Sequence, residues 1–132
     1  MPETTDRPTS PIALITGGSR GLGRSTALAL AERGVDVILT FVSAEKEAND
    51  VVRAIHGKGR KAVALRLDLG KAATFDAFVA DVRRELERGW SRASLDFLVN
   101  NAGIGGYAPF TETSEAAFDE LVDVHFKGPF FL

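Results

Sequence analysis

The residues with the clearest capacity for chemistry lie in "TGGSRGLG", Thr16 to Gly23. A strand-like run precedes this stretch and a helix-forming run follows it, the setting a phosphate-cradling loop requires. Gly17 permits a sharp turn. Gly21 and Gly23 remove Cβ atoms where backbone would approach a diphosphate and where helix meets sheet. Amides near Leu22 then point at phosphate, helped by the positive end of the helix dipole. The glycine spacing is G-x-x-x-G-x-G rather than G-x-G-x-x-G, and a turn with a purely structural purpose is the competing reading. Gly18, Gly23, Arg24 and Ser25 also approximate G-x-x-x-x-G-K-S/T. Arg24 stands where that triphosphate loop needs a lysine as a point charge, so the match is poor.

Two further stretches belong with the loop. "NNAG", Asn100 to Gly103, ends an apolar run and faces any ligand held at the strand ends. Asn100 is expected to bind backbone groups of neighbouring strands, and Asn101 to border the nucleotide. Ala102 and Gly103 are small enough to let a ribose or nicotinamide ring come close. A tight turn after a strand is the alternative. In "LDL", Asp68 could accept from an adenine amino group beside Leu69, or could simply start a helix.

The ribose end of the site bears on the choice of dinucleotide. NAD-selective proteins place an acid at the end of the second strand. Here that position is about Phe41, followed by Val42 and Ser43, with no carboxylate to repel a 2′-phosphate. Arg20, inside the loop, is placed to attract one, unless it is only a solvated surface charge. Ser19 and Ser43 can add hydroxyl donors. The expectation is NADP(H) rather than NAD(H).

The elements that must position these groups follow from apolar runs and breakers. Strands are expected at Ile12 to Thr16, Val35 to Phe41, Lys61 to near Leu67 or Asp68 and Leu95 to Val99. Helices are expected at Arg20 to Arg33, with Gly34 as the stop, and from a Ser43 cap to about His56, ended by "GKG". A third runs from Lys71 to a "GWS" stop. The last begins after Thr113 or Ser114, carries Phe118, Leu121, Val122 and His125 on one face, and still runs at Leu132. Alternating strands and helices with continuous apolar strands predict an α/β fold, a doubly wound parallel sheet of Rossmann type. The predicted strand order is 3-2-1-4, with the ligand crevice between strands 1 and 4.

The totals narrow the class. The 132 residues fit one domain, with residues 1–10 read as a flexible polar lead-in and 11–132 as nucleotide-binding domain. Sixteen basic against eighteen acidic residues give a net charge of −2, which argues against nucleic-acid and membrane-surface partners. There is no cysteine, and His56 and His125 lie near no second ligand at zinc spacing, so no metal site is expected. Without a secretory signal or a membrane-length apolar run, a cytoplasmic protein is the default.

Together, Thr16 to Gly23, Asp68, Asn100 to Gly103 and the "KGPFF" stretch resemble the short-chain dehydrogenase/reductase family over nearly all of Pro11 to Leu132. The resemblance implies an oxidoreductase moving hydride between nicotinamide and a carbonyl or alcohol substrate, as a homodimer or homotetramer. It also implies a catalytic Ser and a Tyr-x-x-x-Lys that this sequence lacks, since Tyr107 has Thr111 four residues on. The chain is therefore read as the N-terminal half of such an enzyme and, without a positioned acid or base, as inactive alone. His125 stands where the family usually has Asn. A supporting role, bonded to backbone or water, is favoured over a proton relay, although imidazole could serve as one. Two other functions compete: a non-catalytic dinucleotide-binding sensor or interaction module, and a truncated product with no function.

Overall fold

The computed structural model describes residues 9–132. Most of the lead-in falls outside them, but Ser10 does not. Its hydroxyl accepts from the Arg60 guanidinium and its carbonyl from Arg92 at 3.4 Å.

Four strands form one parallel sheet: β1 (Ile12–Ile15), β2 (Asp36–Phe41), β3 (Ala62–Arg66) and β4 (Phe97–Val99). Their order is β3-β2-β1-β4, as the alternating pattern predicts. Ile12 pairs with Asp36 in β2, and Ala13 pairs with Phe97 in β4. Direction reverses at β1, which leaves a crevice between β1 and β4 at their C-terminal ends.

Side chains alternate along each strand and so feed two cores. Ala13, Ile15, Val37, Leu39 and Phe41 meet α1 (Gly21–Glu32) and α2 (Glu45–Gly57) through Ala27, Ala31, Ala48, Val51 and Ile55. On the opposite face Ile12, Leu14 and Ile38 meet α3 (Phe75–Trp90) through Phe75, Phe78, Val82 and Leu86. Every residue of β1 and β2 is buried, because helices cover both faces.

The foot of the sheet is closed by one buried carboxylate. Asp36 accepts from Arg60 Nε at 2.9 Å, the Lys61 amide at 2.9 Å and the Trp90 indole at 2.8 Å. Three elements thus meet on a side chain that would be costly to bury unpaired.

Several expected boundaries move. Ser43 does not cap α2. Ala44 occupies that position, and no side chain bonds the first turn, because a cap must immediately precede the helix to reach its amides. Glu45 and Glu47 do lie in the first turn. "GWS" does end α3: the helix runs through Trp90, and Ser91 takes the left-handed conformation at φ 53°. The last helix starts as expected, with the Ser114 hydroxyl accepting from the Ala117 amide at 3.1 Å. It is not one α-helix. After α4 (Glu115–Val122) comes a π-helical turn, Asp123–Lys127, and then α5 (Gly128–Phe131). Phe118, Val122 and His125 are exposed and Leu121 only half-buried, so the four form no buried face, and the wider turn takes His125 off the 3.6-residue register of α4. No helix among the described residues is long and apolar enough to cross a membrane.

Candidate functional site

The loop after β1 is shaped by what it cannot accommodate. Gly17 (φ 68°) and Gly21 (φ 57°) take conformations that favour glycine. A Cβ on Gly23 would lie 2.1 Å from the Gly17 carbonyl oxygen and 2.5 Å from Asn101 Nδ2. That approach folds the loop tightly over the start of α1, whose first-turn amides have no carbonyl partner within the helix.

Two threonines and an asparagine bind this loop to its neighbours. Thr16, fully buried, accepts at Oγ1 from the amides of Asn101 (3.1 Å) and Ala102 (3.0 Å). Its hydroxyl donates to the Val99 carbonyl at 3.4 Å. Thr40 Oγ1, at the end of β2, accepts from the Gly17 amide at 3.1 Å, and the Thr40 carbonyl accepts from the Gly18 amide at 2.9 Å. The Asn101 side-chain amide donates to the carbonyls of Thr16 and Gly17, both at 3.1 Å. Asn101, not Asn100, therefore makes the cross-strand backbone bonds. Asn100 is exposed, because β4 ends at Val99 and the chain turns so that the next side chain faces the loop. Sequence reasoning missed the anchoring roles of Thr16 and Thr40. Thr16 follows β1 and Thr40 is the penultimate residue of β2, where a β-branched residue reads as strand propensity; the usable signal was a buried hydroxyl close to a strand terminus.

A cleft of about 490 Å³ opens above these anchors. Gly17, Ser19, Arg20, Leu22, Ser43, Asn101, Ala102 and Gly103 all border it. Arg20 immediately precedes α1 and is exposed, and the first turn of α1 carries no acid. Leu22 is 81% exposed over the cleft mouth. The rim at the end of β2 is Phe41, Val42 and Ser43, with no carboxylate.

Gly21 and Gly23 shape the cleft without bordering it. Asp68 and Leu69 lie outside it. Asp68 Oδ1 accepts from the Gly70 amide at 2.9 Å, its carbonyl accepts from the Lys71 amide at 3.1 Å, and Leu69 is buried against α3. The turn that starts the α3 segment thus engages Asp68.

His125, on the π-helical turn, stands behind the cleft-lining Gly103 and Ile104 and does not itself border the cleft. Its Nε2 lies 3.0 Å from the Ile104 amide and 2.8 Å from the Ile104 carbonyl. One nitrogen accepts from the first or donates to the second, according to which ring nitrogen carries the hydrogen. The ring also fills the space beside Gly103, where a Cβ would lie 2.5 Å from His125 Cε1.

Comparison with known proteins agrees with this geometry. A family model described as short chain dehydrogenase matches residues 11–132. The chain is 35% identical over 121 residues to hydroxynaphthalene reductase arp2 of Aspergillus fumigatus, covering 92% of this chain and 42% of the relative. It is 36% identical over 118 residues to 3-oxoacyl-(acyl-carrier-protein) reductase FabG of Staphylococcus aureus, covering 89% of this chain and 46% of the relative. The chain thus spans about half the length of these curated relatives. Among solved structures, angucycline C-6 ketoreductase LanV with bound NADP superposes with a TM-score of 0.88 at 32% identity, covering 92% of this chain and 47% of that one.

Proposed function

The chain belongs to the short chain dehydrogenase family, and from that premise we propose that its cleft binds NADP(H) as the cofactor half of an oxidoreductase acting on a carbonyl or alcohol. The observation that carries the reading is the loop packed so closely that neither Gly17 nor Gly23 could bear a side chain. A Cβ on Gly17 would lie 2.8 Å from Ala102 Cα, so the glycine loop and the Asn101 loop share one wall. A diphosphate fits the unpartnered amides at the start of α1, next to the positive end of the helix dipole. Bound nicotinamide would supply or accept the hydride.

The residues of this chain divide the remaining work. Gly17 to Gly23 hold the diphosphate, with Gly21 and Gly23 setting the shape and Leu22 closing the mouth. Asn101, Ala102 and Gly103 border the nicotinamide ribose, and of the pair outside the cleft only Asp68, next to the cleft-lining Leu67, is assigned to the adenine end, since the Leu69 side chain is buried against α3. Ser19, Arg20 and Ser43 form the ribose rim, where a guanidinium and two hydroxyls favour a 2′-phosphate and no acid opposes it. A cofactor-bearing relative, LanV, was solved with NADP, which supports the same choice here. His125 has a supporting role: through Ile104 and Gly103 it fixes the segment beside the nicotinamide end. The substrate is a small carbonyl or alcohol compound, and the working assembly is a homodimer or homotetramer. The 132 residues alone carry no Tyr-x-x-x-Lys to move the hydroxyl proton and turn over no substrate.

Calorimetric titration with NADPH and NADH tests the reading. NADPH is expected to bind more tightly, and Arg20→Ala to weaken NADPH about tenfold while sparing NADH. Equal affinity for both nucleotides in the unsubstituted chain overturns the preference. Oxidation of NADPH by the unsubstituted chain with a ketone present overturns the assignment of inactivity.

A further inference from the structure

The rim at the end of β2 has a second cation beside it, on the neighbouring strand. Arg66 is the last residue of β3 and pairs in register with Phe41, the last residue of β2. Its guanidinium carbon lies 5.5 Å from the Phe41 ring centroid, within cation–π range. Phe41 is 6% exposed, and it borders the cleft with Arg20 and Ser43. Phe41 ends β2, the strand whose terminus recognises the ribose hydroxyls in dinucleotide-binding sheets, and its ring props a charged group from the adjacent end of β3, just outside the cleft lining.

Among the described residues, no side-chain hydrogen bond ties Arg66 down. Glu45, in the first turn of α2, approaches only to 4.0 Å, and the two side chains are 65% and 64% exposed. Such a pair is worth little in water and is readily exchanged for a better anion. A phosphate is a better anion for this residue type, because the planar fork stacks on an aromatic face while donating two parallel hydrogen bonds. Arg20 approaches the same rim from the loop after β1.

We infer that Arg66 is a second specificity-determining residue for the 2′-phosphate of the dinucleotide, held over Phe41 and acting together with Arg20. This rests on the nucleotide reading of the cleft.

The test separates the two. Arg66→Gln, Arg66→Lys and the unsubstituted chain are titrated with NADPH, NADH, adenosine 2′,5′-bisphosphate and 5′-AMP, with thermal melts to verify folding. Arg66→Gln is expected to weaken NADPH and the bisphosphate about tenfold and to change NADH and 5′-AMP by less than about twofold. Arg66→Lys should recover only part of the loss, since an ammonium keeps the charge without the planar stack. An Arg66→Gln chain that binds NADPH as well as before, or that weakens all four ligands equally, overturns the assignment alone. Failure of the unsubstituted chain to bind any of the four overturns the nucleotide reading and this assignment with it.

Discussion

Strands β2 and β4 belong to one sheet and flank the same central strand side by side with β1, yet their environments are opposite. All six residues of β2 are buried, and none of the three in β4 is; Phe97 and Leu98 are 50% and 45% exposed. Propensity does not separate them, since both runs are apolar. Neighbours do. β2 lies between β1 and β3, with helices on both faces, whereas among the described residues β4 pairs with β1 alone. The candidate cleft sits where these regimes meet. Its β2 wall rests on a finished core, and its β4 wall is held mainly by the bonds that Thr16 and Asn101 make across the junction.

Truncation at matched positions should expose the contrast most strongly. Ile38→Ala removes a side chain that is 0% exposed and is expected to cost about 3–4 kcal/mol. Leu98→Ala, on the half-exposed strand, should cost less than about 1 kcal/mol. Urea denaturation measures both, and equal losses would mean that β4 is as firmly packed as β2.

A smaller effect is expected at the junction. Thr16→Val keeps the shape of the side chain but strips the acceptor from two backbone amides, at about 2 kcal/mol. Thr40→Val orphans one amide and should cost about half as much. If the junction is what sets the β4 wall, Thr16→Val will also weaken NADPH binding by more than Thr40→Val does. A loss of stability with unchanged nucleotide affinity would uncouple the two.

The smallest effect lies at the N-terminal end of β1. Asp96 accepts from Arg92 and from the Ile12 amide, both at 2.8 Å. The Arg92 guanidinium first, and the Ile12 amide second, hold its carboxyl below the ordinary aspartate value of 3.8. A lowered value in the folded chain means that the stabilisation is complete above the unfolded value and fades as pH falls through the folded one. Below about pH 4, amide exchange in β4 should therefore accelerate before that in β2. Asp96→Asn should abolish this difference in acid sensitivity; its persistence would assign it to another carboxylate.

How far the fold could be read ahead of the coordinates follows the same division. β1 is an apolar run closed by Thr16 and Gly17, β2 a largely apolar run opened by Gly34, and the parallel sheet with its strand order follows from their alternation with amphipathic helices. The glycine loop was legible because strand, loop and helix stand in sequence. Less local features were not. Which of two adjacent asparagines turns inward depends on where β4 stops, and "VNNAG" does not encode that by itself. The π-helical turn has no periodic signature, being a single widened turn within an otherwise helical composition. The approach of His125 to Ile104 joins residues 21 positions apart through that turn. Arg66 reads as a surface charge until the register sets it opposite Phe41.

The tether at the foot of the sheet has a practical consequence. The chain has one tryptophan, and its indole donates to Asp36, below the strands and at the opposite end from the glycine loop. Intrinsic emission is thus a gauge of whether the base of the domain is intact, while a bound reduced nicotinamide would glow at its own, longer wavelength. Unfolding and occupancy become two colours in a single cuvette, so a substitution that empties the cleft can be told at once from one that melts the scaffold.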